Sequence, residues 1–325
     1  MDNKYFLKRK KNQLILKDKI ISVNKKINLY HIILVIISSI IISSNSEIDN
    51  KDLDELIYSY ITLKIGQGTY KVYSYSYQNP PKIIYINENK QSNVKQAYKF
   101  EEPENSVILI WEKPIKNCEN MFQSCDKIIE MDLTHFNTSQ VTTMKNMFDG
   151  CNNFEYIDVS NIDTSKVKSM GNILKDCNSL ISLDLSSFNT SSNTNIGTMF
   201  QGCTSLRSIN LSNFNTSQTN YMDNLFNGCR SLTSVVLSNF DTSQVTKMNY
   251  MFKDCKSLAS INICSFNTKK VENFQNMFDG CTSLIILDFQ NFDLSSVINM
   301  DNMFSNCNNL EYANIKNFKP KNILS

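Results

Sequence analysis

The chain has 325 residues, of which 41% are hydrophobic and 20% are charged, a composition that excludes both a wholly disordered chain and a polytopic membrane protein. Its formal net charge of +2 is unevenly distributed, because residues 1–27 carry nine Lys or Arg against two Asp or Glu, whereas the remainder carries 24 against 29. Since nucleic-acid binding depends on basic surface, we expect no nucleic-acid partner for this acidic body. Only His31 and His135 are available for histidine chemistry, and we expect no enzymatic activity.

A basic head at residues 1–26 precedes an uncharged stretch at residues 27–46. A helix of that length, at about 1.5 Å of rise per residue, just crosses a hydrocarbon core of roughly 30 Å. The pattern predicts a cleaved signal peptide or a retained signal-anchor transmembrane segment, and a buried helix of a soluble protein is the third interpretation. Under the positive-inside rule, both membrane interpretations leave the head in the cytosol. We therefore expect a secreted or cell-surface protein, membrane-anchored if residues 27–46 are not cleaved.

Short β-branched and aromatic runs occur within residues 50–116, and glycines and prolines separate them. The runs begin at Thr62, Tyr70, Lys82 and Val107. Such runs are typical of strands, so they predict a small β module. Repeat arrays need a cover at each end, which favours an N-terminal cap over the alternative of a ligand-binding domain.

An internal repeat fills residues 117–325 in eight copies. Its clearest marker is a cysteine that recurs at a constant 26-residue step without any insertion, at Cys125, Cys151, Cys177, Cys203, Cys229, Cys255, Cys281 and Cys307. Aromatic or aliphatic residues, methionines and a Met-Phe pair recur at fixed distances from this cysteine, with the same 26-residue step. A repeat of this length indicates a stacked array, in which each unit buries its apolar face against its neighbours.

Two hydrophobic periods occur within each unit. Leu183 and Leu185 are two residues apart, as on one face of a strand, whereas Val245, Met248 and Met251 follow steps of three, as on one face of a helix. An Asn-Thr-Ser segment stands where a helix cap is expected, and glycine often precedes the cysteine, where a helix would end. Strands stack about 4.8 Å apart and helices about 8–10 Å apart. The sequence therefore predicts an α/β repeat, a leucine-rich-repeat-like curved solenoid of strand plus short helix units with strands on its concave side.

The repeat pattern is Met-Phe-x-x-Cys-x-x-Leu-x-x-Ile-Asp-Leu-Ser-x-Phe-Asn-Thr-Ser-x-Val-Thr-x-Met, and residues 144–165 and 248–268 match it well. It resembles the BspA-like leucine-rich repeat surface proteins, also called 26-residue-repeat surface proteins. The resemblance covers roughly residues 117–325. It implies a leucine-rich-repeat fold, exposure at the cell surface or secretion, and adhesion to other proteins, with no catalytic residue.

The cysteines are interpreted as a buried ladder of unpaired thiols. Zinc requires several thiolates around one metal, whereas the repeat places one cysteine in each layer. Disulfides are not expected either, because core packing and not sulfur pairing sets the geometry of equivalent inward cysteines in adjacent layers. Cys118 takes the place of a repeated core methionine, whereas Cys264 falls on the outward side of a strand, where we expect a thiol near solvent. No cofactor or metal site is expected.

The outward strand positions form the candidate partner-binding face. Its residues are Asp132, Tyr156, Asp158, Asp184, Asn210, Asn262, Ile286, Asp288 and Tyr312. Single carboxylates in a line cannot supply the six to eight oxygens of a calcium site, and repetition provides no unique catalytic pair. We expect this face to bind a protein or cell-surface ligand; the alternatives are a merely solvated face on a structural surface-coat or spacer protein, and an intracellular scaffold.

Overall fold

The computed structural model describes residues 59–315, so the predicted basic head, the membrane-targeting segment and residues 316–325 lie outside the described residues. The described residues belong to one compact unit, Tyr58–Ser325. They contain nine strands in three sheets. In this part of the chain, no helix is long and apolar enough to span a membrane.

The first sheet has five antiparallel strands in the order β3-β2-β4-β1-β5. They are β1 (Ser59–Lys71), β2 (Ile83–Ile86), β3 (Asn89–Lys90), β4 (Ala97–Trp111) and β5 (Ile128–Asp132). β1 pairs with β4 from Ser59↔Trp111 to Lys71↔Ala97, with a register shift between Gly66 and Gly68. Its inward side chains are β-branched and aliphatic and buried, which explains why this run forms a central strand.

The remaining strands are short and pair in parallel between equivalent positions of neighbouring repeats. β6 (Ser182–Asp184) pairs with β7 (Ser208–Asn210), and β8 (Ile286–Asp288) pairs with β9 (Tyr312–Asn314). Single parallel bridges continue the same offset elsewhere, for example between Tyr221 and Lys247. Equivalent positions of neighbouring repeats therefore lie side by side, as the period predicts.

The predicted α/β solenoid of strand plus helix units is wrong, because the described residues contain no helix. Where a helix was expected, backbone N–H groups alternate between two kinds of acceptor. Met147 and Asp149 donate to the carbonyl three residues earlier, as in a β-turn. Phe148 and Gly150 donate at 2.9 and 2.8 Å to carbonyls of the next repeat. Half of the hydrogen bonds that a helix would keep within itself thus join adjacent layers.

Two left-handed residues in each repeat fix this geometry. Asn146 has φ 55° and Gly150 has φ 74°, and the same two columns are left-handed in the other repeats. Positive φ at the third residue of a turn is typical of type II turns and interrupts an α-helix. The consecutive turns still direct Met144, Met147 and Phe148 inward, where they are buried. Apolar steps of three and four therefore arise here without a helix.

Ladders of identical side chains fill the interior. The rings of Phe200, Phe226, Phe252 and Phe278 stack in succession with centroids 5.4–5.6 Å apart. A second, polar ladder consists of buried threonines. The hydroxyl of Thr190 donates to the carbonyl of Asn215 at 2.9 Å and accepts the N–H of the same residue at 2.8 Å. The threonine of the Asn-Thr-Ser segment therefore joins adjacent layers and does not cap a helix.

Candidate partner-binding face

The residues of the candidate face occupy three settings. Asp184, Asn210, Ile286, Asp288 and Tyr312 lie on the short parallel strands, whose register pairs Asp184 with Asn210 and Ile286 with Tyr312. Tyr156, Asp158 and Asn262 lie on segments without regular strand structure. Asp132 differs from both groups, because β5 pairs with β1 in the antiparallel sheet, opposite Thr62. All nine residues are exposed or half-buried, with Asp288 the least exposed.

The Asp and Asn side chains of this face also hold turns. In each case the side-chain Oδ1 accepts the N–H two residues later, at 2.9–3.1 Å. The pairs are Asp132 with Thr134, Asp158 with Ser160, Asp184 with Ser186, Asn210 with Ser212, Asn262 with Cys264 and Asp288 with Gln290. This is an Asx-turn, which explains on structural grounds why the column consists almost entirely of Asp and Asn.

These hydrogen bonds also influence the charge of the face. The Ser160 hydroxyl and N–H lower the pKa of Asp158, and the Ser186 N–H and hydroxyl lower the pKa of Asp184. Both carboxylates therefore stay ionised at neutral pH. Asn210 donates from Nδ2 to Asp184 Oδ1 at 3.0 Å, which links the column across two repeats. The face presents fixed negative charge.

Large apolar side chains interrupt this polar surface. Tyr156, Ile286 and Tyr312 are 63%, 54% and 57% exposed. Because β8 and β9 pair in register, Ile286 and Tyr312 are nearest neighbours on adjacent strands. Exposed neighbouring apolar side chains are typical of interaction surfaces.

Sequence reasoning missed further apolar members. Val236 is 71% exposed and breaks a column that holds Asp or Asn in the other repeats, and that departure is the signal that could have identified it. Ile285, directly before β8, is also exposed, but its column mixes polar and apolar residues and gives no such signal. We call the neighbouring exposed side chains of Ile286 and Tyr312 the β8–β9 patch.

The buried thiol ladder is confirmed. The ten cysteines are unpaired, and eight of them are buried. From Cys151 onward, each repeated thiol donates to a backbone carbonyl of the preceding repeat at 3.0–3.2 Å. Burial raises the pKa of Cys203 to about 12, so its thiol stays protonated and donating. Cys264, which was expected near solvent, is half-buried, and Cys307 in the last repeat is half-buried too, which the sequence analysis did not anticipate.

An open groove of about 650 Å³ lies at the start of the repeats. Its lining combines Lys71 and Lys175 with Asp126, Asp149 and Asp176, and the Lys175 ammonium contacts Asp176 at 2.6 Å. The Lys175 ammonium also lies 3.8 Å from Asp149, whereas Asp126 pairs with Lys127 outside the lining at 3.1 Å. Across residues 59–315, no group of three or more His, Cys, Asp or Glu side chains is arranged to hold a metal ion.

These features define a repeat protein whose layers are joined by turn-to-turn hydrogen bonds. Two overlapping segments, residues 116–231 and 207–318, match the family described as "Mycoplasma protein of unknown function, DUF285". The chain belongs to this family. No curated protein and no solved structure is significantly similar to it.

Proposed function

We propose that this chain is a non-enzymatic surface or secreted protein that binds a protein or cell-surface ligand through the candidate partner-binding face. The resemblance to BspA-like surface proteins and the membrane-targeting pattern of residues 27–46 support the location. The observation that carries the binding proposal is the β8–β9 patch, in which Ile286 and Tyr312 lie exposed on adjacent strands. Amphipathic aromatics and aliphatic side chains in such settings often supply interface energy.

Acidic charge along the candidate partner-binding face favours a polar or basic partner. Asp158, Asp184 and Asp288 lie on the same face, and hydrogen bonds from neighbouring residues keep the first two ionised. A cationic partner surface would gain association rate and orientation from this charge, and the gain should weaken as salt rises. A structural coat protein, by contrast, needs no saturable partner, and an intracellular scaffold needs no exposure outside the cell.

The test compares two sets of variants in a binding assay with intact cells and immobilised matrix proteins (fibronectin, laminin and collagen). Ile286→Ser with Tyr312→Ser introduces the residue that Ser182 and Ser208 supply at the same column, so the fold should tolerate both changes. We expect at least a tenfold loss of affinity. Ile298→Ser, at an exposed residue in a different column, is the matched control and should retain binding.

Three results would overturn the proposal. Saturable binding that survives the double substitution would show that the ligand does not bind through this face. Protease added to intact cells should digest the repeats, and full protection until lysis would instead favour the intracellular scaffold. If protease digests the repeats on intact cells but the binding assay finds no saturable ligand, the surface-coat alternative is favoured.

A further inference from the structure

The third and fourth repeats, marked by Cys177 and Cys203, are joined by fewer hydrogen bonds than any other neighbouring repeats that the structure describes. Between the second and third repeats, three of the backbone bonds run from Met144 to Ser169, from Asn146 to Gly171 and from Lys168 to Thr142, at 2.9–3.0 Å. At the next interface, the equivalent N–H groups are those of Met170, Asn172 and Thr194. No backbone carbonyl within residues 59–315 accepts from any of these three, although the same bonds are present at all the other described interfaces.

Two residues of the fourth repeat weaken this layer. Asn193 is fully buried in a column that holds valine in five other repeats. Its Oδ1 accepts the N–H of Asn195 at 3.1 Å, which forms a turn that valine cannot make. Its Nδ2 is buried without a hydrogen-bond partner among the described residues, which is destabilising. Thr198 has φ 60°, a left-handed conformation that β-branched residues rarely adopt, in a column that is mostly asparagine.

Side-chain packing is also interrupted at this interface. Leu174 replaces the phenylalanine of the other repeats, so the stack of rings is broken between Phe148 and Phe200. Gly171 and Gly197 occupy the same column, and a Cβ built on Gly171 would meet nothing within 4 Å. We call residues 168–176 and 194–202 the turn side of this interface. Backbone bonds and side-chain contacts are therefore both reduced on the turn side.

The strand side of the same interface is fully joined. β6 and β7 pair in register over three residues. The N–H of Leu185 donates to the carbonyl of Asn210 at 3.1 Å, and Asn210 Nδ2 donates to Asp184 Oδ1 at 3.0 Å. On the turn side, two backbone bonds remain, from Leu174 to Met199 at 3.2 Å and from Asp176 to Gln201 at 2.7 Å. The equivalent set at every other described interface has five.

We propose that the interface between the third and fourth repeats is a hinge, which opens on the turn side and pivots on the β6–β7 pair. Opening there breaks two turn-side backbone bonds instead of five, so it needs less free energy than opening any other described interface. The candidate partner-binding face crosses the pivot between Asp184 and Asn210, so opening changes the angle between its two parts. The hinge needs no ligand, so this proposal and the proposed function can fail separately.

The cysteine ladder provides a test, because each thiol reports on one interface. Cys203 donates to the carbonyl of Leu174 across the hinge at 3.1 Å. Cys151 and Cys229 make the same bond at 3.2 Å across interfaces that keep all five backbone bonds, and all three thiols are buried. Iodoacetamide is added to the reduced, native chain, and mass spectrometry measures the labelling rate at each cysteine. We expect Cys203 to react at least about tenfold faster than the other two.

Substitutions then connect the opening to the residues that cause it. Asn193→Val copies Val167 and should slow the labelling of Cys203 by about tenfold, because it removes the unpartnered amide. Thr198→Asn copies the residue of the neighbouring repeats and should also slow it. Tyr250→Asn, in the same column two repeats further on, is the matched control and should leave the rate at Cys203 unchanged.

Amide hydrogen exchange tests the pivot. The N–H of Leu174, on the turn side, should exchange at least about tenfold faster than that of Leu185, on the strand side. Equal exchange at the two would show that the whole interface separates and that β6–β7 is not a pivot. Equal labelling of Cys151, Cys203 and Cys229 would show that no interface opens before the chain unfolds as a whole. A rate at Cys203 that neither Asn193→Val nor Thr198→Asn slows would also contradict the proposal.

Discussion

The antiparallel sheet, whose first four strands lie in residues 59–111, and the repeats of residues 117–315 satisfy their backbone groups in different ways. In the sheet, β1 and β4 pair along almost their whole lengths, so many hydrogen bonds depend on one strand register. In the repeats, turns form within each layer and ladders join it to the next, so each layer depends chiefly on its two neighbours. The sheet is therefore stabilised by one long pairing, and the repeats by side-chain columns that recur in every layer.

Alkaline pH should separate the two regions most strongly. Burial raises the pKa of the ladder thiols above the ordinary value of 9.0, to about 12 for Cys203, so their protonated forms stabilise the fold fully below pH 9. As pH rises beyond 9, unfolded thiols ionise while folded ones do not, and stability falls by up to about 1.4 kcal/mol per pH unit for each buried thiol. In the sheet, burial raises the pKa of Tyr60 in β1 from 10.0 to about 12, so the stability that its protonated form contributes begins to fall only above pH 10.

Two spectroscopic signals distinguish these transitions. Trp111, the single tryptophan, lies buried in β4 and reports on the sheet, whereas circular dichroism also reports on the repeats. We expect the dichroism signal to change at lower pH than the Trp111 fluorescence. Coincident transitions would show that the two regions unfold together. Cys203→Ser removes one titrating group but keeps a donor, and should reduce the pH slope.

Phe226→Ala should destabilise the repeats by about 3–5 kcal/mol, because it removes a ring packed between Phe200 and Phe252 and leaves a cavity. Phe226→Leu copies Leu174 at the same column and should cost much less. Denaturant unfolding measures both values. Equal costs for the two variants would show that ring stacking is not what the column contributes.

Thr190→Val should lower the free energy of unfolding by about 1–3 kcal/mol. The substitution removes the hydroxyl that bonds both the N–H and the carbonyl of Asn215, and it leaves these two buried backbone groups without that partner. Thr190→Ser keeps the hydroxyl and loses only a methyl group, so it should cost about 0.8 kcal/mol. Chemical denaturation of the pair separates the hydrogen bonds from the packing. A valine variant as stable as the serine variant would contradict the bridging role.

Gly202→Ala should cost about 1–2 kcal/mol, because Gly202 has φ 77° and a new Cβ would lie against Asp176. Gly171→Ala is the matched control, since its Cβ would have open space and its φ is ordinary. That change should be neutral or slightly stabilising, because alanine lowers the conformational entropy of the unfolded chain. Thermal unfolding of both variants checks the pair, and equal melting temperatures would remove the left-handed column as a requirement.

Much of the interior could be predicted from the sequence. The constant spacing of the cysteines places Cys177 and Cys203 on the same inward column, and both are buried. The runs beginning at Thr62, Lys82 and Val107 overlap β1, β2 and β4. These predictions succeed because burial depends on the phase of apolar residues, which is visible in the chain itself.

The candidate face was predictable in part. The sequence identified Tyr156 and Ile286 as outward residues, and both are exposed. It could not show that Asp158 also holds a turn, because an Asx-turn depends on local backbone geometry. Nor could it place Asp132 beside β1, because that pairing joins residues far apart in the chain.

The period, the identity of the buried columns and the chemistry of the outward positions follow from the amino-acid sequence alone, because each depends on residue type and spacing. The choice between a helix and consecutive turns depends on contacts between repeats, since Met144, Met147 and Phe148 point inward in either conformation. The outcome depends on where alternate N–H groups find acceptors. Those of Phe148 and Gly150 find them in the next repeat, and no spacing within one repeat can reveal a partner supplied by another.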